Sequence, residues 1–83
     1  MKSKIFTVYI LKSTITGKYY IGYTDNLDIR IKHHNAGRNT STKYGVPWNL
    51  VYSESFNNRT DAWKRERQIK LYKSGEAFKK LIK

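Results

Sequence analysis

With 83 residues, the chain has the length of one small domain, so we expect residues 1–83 to fold around a single thin core. It has no cysteine, which excludes disulfides and cysteine-ligated zinc sites. Seventeen lysines and arginines against six acidic residues give a net charge of +11, which predicts attraction to polyanions and above all to nucleic acid. An acidic protein partner is the alternative reading of the same charge.

The N-terminal sequence predicts a soluble protein of the cytoplasm. The apolar run 5–11 follows Lys2 and Lys4, but no small-residue cleavage site of a signal peptide comes after it. This run is also far too short to span a bilayer. No helix pairs a long apolar face with a basic one, so we expect no membrane partner. The length of the chain allows a monomer or a weak dimer.

An antiparallel hairpin is predicted at the start of the chain. Residues 5–11 and 19–24 alternate in the manner of strands, and the turn-like stretch 13–18 separates them. A register with Tyr9 opposite Tyr20 gathers the apolar side chains on one face of the hairpin and leaves both tyrosines on the other.

The next predicted element is a helix that begins at Asp25 or Asn26, either of which can cap its free N–H groups. It ends at Gly37, a usual residue for a left-handed helix stop. Leu27 and Ile31 form its buried stripe.

A polar, basic loop over residues 38–47 leads into a third strand over residues 49–56. We expect Leu50, Tyr52 and Phe56 to share one side of that strand. A turn then opens a second long helix that runs to about Lys73, and a short last helix carries four apolar residues, Ala77, Phe78, Leu81 and Ile82. The predicted fold class is therefore α+β, a three-stranded antiparallel sheet flanked by helices in the order β-β-α-β-α-α.

Glu66 is the most telling single residue of the sequence. It lies on the stripe that Ala62, Ile69 and Tyr72 form on the second long helix. A buried carboxylate without a partner is costly, so it requires a cation, a strong hydrogen bond or a metal. The alternative is a structural salt bridge with a nearby arginine or lysine.

Arg30 and His34 are four residues apart and therefore neighbours on the first helix. A guanidinium presents a fixed fork of donors to phosphate, and an imidazole moves protons near neutral pH. Taken singly, Arg30 and His34 also fit ordinary surface positions, and Tyr9 and Tyr20 fit sheet packing. A tyrosine serves as a base at neutral pH where a neighbour such as Arg30 stabilises its phenolate.

The joint arrangement of these residues resembles the GIY-YIG nuclease family, and in particular its small stand-alone bacterial members. The residues that carry the resemblance are Val8-Tyr9, Tyr20-Ile21-Gly22, Arg30, His34 and Glu66. The resemblance runs from about residue 4 to residue 73 in the same order of elements. Thr7 stands where the family name has glycine, and no asparagine follows Glu66, although many members carry one on a later helix.

The resemblance implies a role for each residue of the set. Tyr9 is implied as the general base that takes a proton from water, and Tyr20 as a residue that positions the nucleophile or the phosphate. Arg30 offsets charge on the phosphate oxygens, and His34 supports Tyr9 by hydrogen bonding or proton relay. Glu66 is the implied ligand of one divalent metal, Mg²⁺ or Mn²⁺, because such ions often take one or two carboxylates and complete their shell with water and phosphate.

The function implied by the resemblance is metal-dependent endonuclease cleavage of nucleic acid, with DNA favoured over RNA and low sequence specificity. Four basic residues are expected to contact neighbouring phosphates: Lys32, Arg38, Lys43 and Arg65. The alternative is a non-catalytic DNA- or RNA-binding module on the same fold.

Overall fold

The computed structural model describes residues 4–72 and 75–82. Its elements are β1 (Phe6–Ser13), β2 (Tyr19–Thr24), α1 (Leu27–Asn35), a 3₁₀ helix (Lys43–Gly45), β3 (Trp48–Phe56), α2 (Arg59–Leu71) and α3 (Glu76–Leu81). The predicted α+β class and the order β-β-α-β-α-α are confirmed. None of the helices among the described residues is long and apolar enough to cross a membrane.

The sheet has the strand order β2-β1-β3, and both pairings are antiparallel. β1 occupies the centre because its sequence is apolar on both faces, and a central strand is covered on both faces. Four successive residues of β1, from Val8 to Leu11, are at most 2% exposed.

The two faces of the sheet support two clusters of side chains. On one face, β1 packs against α2 and α3 through Phe6, Val8, Ile10, Ala62, Ile69 and Phe78. On the other face, Tyr9, Leu11 and Trp48 are buried under Leu27 and Ile31 of α1. The predicted stripe of α1 therefore covers the face that carries the tyrosines.

The register of the hairpin differs from the predicted one. Tyr9 lies opposite Gly22, and Tyr20 lies opposite Leu11. β1 continues to Ser13, beyond its predicted end at residue 11, and the Ser13 hydroxyl accepts hydrogen bonds from the backbone N–H groups of Ile15 and Thr16 in the turn. Because the register has moved by an even number of residues, Tyr9 and Tyr20 still share one face, now as diagonal neighbours.

The predicted side of Leu50 is wrong. The β1–β3 ladder shifts its register between Ile10 and Leu11, so that Tyr52 lies opposite Ile10 while Leu50 lies opposite Leu11. One extra residue in a bulged strand reverses the faces of the residues beyond it. Leu50 therefore lies on the opposite face from Tyr52 and is 43% exposed.

Caps at the ends of the helices agree with the sequence. Asn26 caps α1 by accepting from the N–H of Ile29, and Gly37 follows the helix with φ of 74°, as predicted for a left-handed stop. The equivalent cap of α2 is Asn58, which accepts from the N–H of Asp61. The expected end of this helix near Lys73 lies outside the described residues.

We expect Ile69→Ala to lower the free energy of unfolding by about 2–5 kcal/mol, because Ile69 is fully buried between α2 and the sheet. Leu71→Ala on the same helix is the matched control. Leu71 is 74% exposed, so its loss is expected to cost no more than about 0.5 kcal/mol. Urea unfolding measures both variants, and equal losses would contradict the placement of α2.

Candidate active site

Gly22 allows the ring of Tyr9 to lie flat across the neighbouring strand. A Cβ atom placed on Gly22 would lie 2.7 Å from the Tyr9 hydroxyl oxygen and 2.9 Å from its Cζ atom. No side chain fits in that space, so glycine is required where Tyr9 crosses β2. The same contact leaves Tyr9 only 2% exposed.

Tyr9, Tyr20 and His34 form one cluster of rings. The ring centroid of His34 lies 4.7 Å from that of Tyr20 and 6.0 Å from that of Tyr9, and the two tyrosine centroids lie 6.3 Å apart. His34 is fully buried at the C-terminal end of α1, below the tyrosine face of the sheet. The fold thus brings together three of the predicted site residues from three different elements.

Two side chains form hydrogen bonds with the ring of His34. Its Nδ1 atom lies 2.8 Å from Thr42 Oγ1, and its Nε2 atom lies 3.2 Å from the Tyr9 hydroxyl. The backbone carbonyl of Asn39 lies 3.4 Å from Thr42 Oγ1 and can take the hydroxyl proton, so we assign Thr42 Oγ1 as the acceptor of Nδ1–H. The bare Nε2 atom is then the acceptor for the Tyr9 O–H group.

Thr42 is a site residue that the sequence analysis did not identify. It is 1% exposed, and its backbone carbonyl accepts a hydrogen bond of 2.7 Å from the Trp48 indole N–H. Trp48 is held in turn by Asn35, whose side-chain oxygen accepts from the backbone N–H of Trp48 at 2.6 Å. In the sequence, Trp48 directly after the polar loop is the only indication that this loop is anchored to the core. The sequence does not indicate that Thr42, rather than Thr40, makes the contact.

The electrostatic environment keeps Tyr9 protonated and His34 neutral at neutral pH. Burial is the main reason that the pKa of the Tyr9 phenol lies far above its ordinary value, and the neighbouring Tyr20 raises this pKa further. Of the two charged residues nearby, Arg30 lowers the pKa of Tyr9 and Glu66 raises it. Burial lowers the pKa of His34, and the charge of Arg30 lowers it further. Arg30 and Glu66 thus act on the pKa of the Tyr9 hydroxyl in opposite directions.

Glu66 lies at the edge of the buried stripe of α2, with its side chain 14% exposed. Its carboxylate forms an ion pair of 3.5 Å with Lys70, one turn along the helix, and the Lys70 side chain is 54% exposed. This is the salt bridge that the sequence analysis gave as the alternative to a metal. Helix pairs of this spacing contribute only about 0.3–0.5 kcal/mol, so Lys70 can move outward at small cost.

A hard divalent cation fits Glu66 by the chemistry of its donors, because Mg²⁺ and Mn²⁺ prefer carboxylate oxygen and accept waters for the remainder of their shell. Among residues 4–72 and 75–82, no group of three or more histidine, cysteine or acidic side chains has the geometry of a metal site. Both ring nitrogens of His34 take part in hydrogen bonds, so Glu66 is the candidate ligand.

Three of the four basic residues expected to contact nucleic acid are exposed: Lys32, Arg38 and Lys43. An open groove beside His34 is lined by Arg30, His33, Arg38, Asn39 and Thr40. Arg65 is engaged elsewhere. Its Nε atom donates to Glu54 of β3 at 2.9 Å, and its guanidinium also donates to Gln68 at 2.7 Å. The structure therefore gives Arg65 a structural partner and does not bring it into this groove.

The family model of the GIY-YIG catalytic domain matches residues 5–79. The chain belongs to the GIY-YIG family. All five predicted catalytic residues of this GIY-YIG domain fall inside the matched region, and the small size of its relatives agrees with the resemblance seen in the sequence.

Relatives of this GIY-YIG domain include UPF0213 proteins of staphylococci. The chain is 40% identical over 73 residues to UPF0213 protein SH2523 of Staphylococcus haemolyticus (strain JCSC1435), a match that covers 87% of this chain and 88% of that protein. It is 39% identical over 66 residues to UPF0213 protein SA0446 of Staphylococcus aureus (strain N315), covering 78% and 79%.

A solved structure has the same fold. The solution NMR structure of UPF0213 protein BH0048 from Bacillus halodurans superimposes with a TM-score of 0.59 at 32% identity, and the match covers 94% of this chain and 82% of that one.

The lowered pKa of His34 makes stability depend on pH. In the unfolded chain a histidine titrates near its ordinary pKa of about 6.5, so below that pH the unfolded state binds more protons than the folded state. Stability is therefore fully present above the unfolded pKa and is lost as pH falls towards the lower, folded pKa. We expect the urea midpoint to fall between about pH 7.5 and about pH 5.5.

His34→Gln is expected to flatten this pH dependence, while His33→Gln at the exposed neighbouring position keeps it. Urea titrations of the three proteins at each pH measure the effect. An unchanged pH slope in His34→Gln would contradict a buried, neutral His34.

Proposed function

We propose that this GIY-YIG domain is a metal-dependent endonuclease that hydrolyses phosphodiester bonds of DNA. The observation that carries the proposal is the buried hydrogen bond between the Tyr9 hydroxyl and His34. Arg30 lowers the pKa of the same hydroxyl and Glu66 raises it, so both charges are felt there. A sheet needs no such arrangement for its packing, whereas hydrolysis requires a base, a cation for the phosphate and a metal ligand.

The Tyr9–His34 pair supplies a base without a free phenolate. Burial disfavours the phenolate form of Tyr9, which is why its pKa is raised. As the attacking water gives its proton to the Tyr9 oxygen, the phenol proton passes to the bare Nε2 atom of His34. Thr42 then stabilises the imidazolium by accepting from Nδ1–H. The charge thus appears on His34 and the phenol stays neutral, so the relay avoids the cost of a buried tyrosinate.

Arg30 and Tyr20 act on the phosphate side of this relay. The exposed guanidinium of Arg30 presents two parallel donors to the phosphate oxygens and stays charged throughout the reaction. Tyr20 lies against the ring of His34 and is half-buried, so its position is set by packing while its hydroxyl remains available to orient water or phosphate.

Glu66 would hold the divalent ion, Mg²⁺ or Mn²⁺, once the weak ion pair with Lys70 opens. When bound, the ion supplies stabilisation of the charge that develops on the leaving oxygen. A single protein carboxylate makes the site weak on its own, so substrate phosphate and metal are expected to bind together.

The net charge of +11 supports nucleic acid as the substrate, with phosphate contacts from Arg38, which lines the groove, and from the exposed Lys32 and Lys43. The second candidate is a binding module without cleavage, which the Glu66–Lys70 ion pair favours because it supplies the carboxylate with a partner. In that case DNA binding falls steeply with salt and is indifferent to metal.

We expect Arg30→Ala and Glu66→Gln each to reduce single-turnover cleavage of labelled DNA, with Mg²⁺ or Mn²⁺ present, by about 100-fold or more. Glu76→Gln is the matched control, since Glu76 is an exposed glutamate of α3 outside the site, and it is expected to cleave at the wild-type rate. DNA binding measured without metal should survive in Glu66→Gln.

Two results would contradict the proposal. Cleavage that persists in both Arg30→Ala and Glu66→Gln shows that the reaction uses other residues. A wild-type protein that binds DNA with a steep salt dependence, yet cleaves nothing with either metal, supports the binding module instead.

A further inference from the structure

Tyr44 is an exposed aromatic residue that the proposed reaction does not use. It lies in the 3₁₀ helix (Lys43–Gly45) and is 81% exposed. Leaving an aromatic ring in water forgoes the stabilisation that its burial would give, so a ring held in this way on a small protein is a candidate contact for a partner.

The backbone on both sides of Tyr44 is anchored, so its outward position is built into the loop. On one side, Thr42 is bonded to His34 and to the Trp48 indole. On the other side, Gly45 is buried and its carbonyl accepts a hydrogen bond of 2.7 Å from the Ser13 hydroxyl. Tyr44 therefore projects from a fixed segment that also positions the catalytic histidine.

Tyr44 also lies in a basic environment that continues into the site. The Lys43 ammonium lies 5.0 Å from the centroid of the Tyr44 ring. The groove that runs from Arg30 past His33 to Arg38 reaches Asn39 at the beginning of the same loop. A strand whose phosphates follow this groove would reach the loop from which Tyr44 projects.

This combination of an aromatic surface and a cation matches the way proteins hold single-stranded nucleic acid, in which bases stack on aromatic rings and cations follow the backbone. A base inside a duplex is stacked on both faces and offers neither to a protein ring. The ring of Tyr44 thus fits an unpaired base. A surface that binds only intact duplex needs cations for the phosphates but has no use for an exposed aromatic ring.

We propose that Tyr44 is a stacking platform for an unpaired nucleobase next to the cleaved phosphate, so that the preferred substrate carries a single-stranded segment such as a tail, a flap or a displaced strand. This inference rests on the proposed function, because it takes nucleic acid as the ligand. The net charge of +11 and the position of Lys43 favour nucleic acid over a protein that would bury the same ring.

The test is fluorescence anisotropy of the full chain with labelled DNA in the absence of divalent metal. The probes are a blunt duplex and the same duplex with a single-stranded tail. We expect wild type to bind the tailed probe more tightly, and Tyr44→Ala to lose about five-fold or more in affinity for it while binding the blunt duplex as before. Tyr44→Phe keeps the ring and should bind as wild type.

The outcomes separate this inference from the proposed nuclease activity. If Tyr44→Ala binds the tailed duplex as wild type does, or if Tyr44→Phe is as weak as Tyr44→Ala, Tyr44 is not a stacking platform, whatever the protein cleaves. If the selective loss is seen in a protein that cleaves nothing, the platform stands and the nuclease assignment falls. If wild type binds neither probe at low salt, both proposals fall. Circular dichroism of Tyr44→Ala checks that the exposed position can be changed without unfolding.

Discussion

The site depends on a buried hydrogen bond from the Tyr9 hydroxyl to Nε2 of His34. This bond joins β1, the central strand of the sheet, to the last turn of α1, and it lies beside the cluster of Tyr9, Leu11 and Trp48. A buried hydroxyl or imidazole without a partner is costly, so each group holds the other in place. With Nδ1–H donated to Thr42, the nitrogen that faces Tyr9 is the bare one, and this decides the direction in which a proton can travel.

Several features of the fold serve this one contact. Gly22 leaves the space into which the Tyr9 ring extends, and Thr42 fills the other side of His34. Thr42 is itself held by Trp48, so the basic loop before β3 is anchored at Thr42. Two residues later in the same loop, the side chain of Tyr44 is exposed to solvent. Under the proposed function, catalytic geometry and substrate contact would share this single anchored segment.

The sequence predicted the features that follow from periodicity. Alternation placed Tyr9 and Tyr20 on one face, as they are in the structure. Helical spacing placed Glu66 on the buried stripe of α2, and the structure has its side chain 14% exposed at the edge of that stripe. The predicted hairpin register was wrong by two residues, and the predicted side of Leu50 was wrong. Both depend on local hydrogen bonding, in the turn at Ser13 and at the bulge in β3, which the alternation of apolar and polar residues does not reveal. Thr42 could not be found, since its partners lie elsewhere in the chain and its own neighbours in sequence are equally polar.

The most direct test of the account is the tautomer of His34 in the free protein at neutral pH. Long-range ¹⁵N–¹H correlation spectra of the imidazole ring report which nitrogen carries the proton. The account predicts a neutral ring with the proton on Nδ1 and a bare Nε2 that accepts from Tyr9. A proton on Nε2, or a doubly protonated ring at that pH, would contradict it, because His34 could not then receive the proton that Tyr9 must pass on.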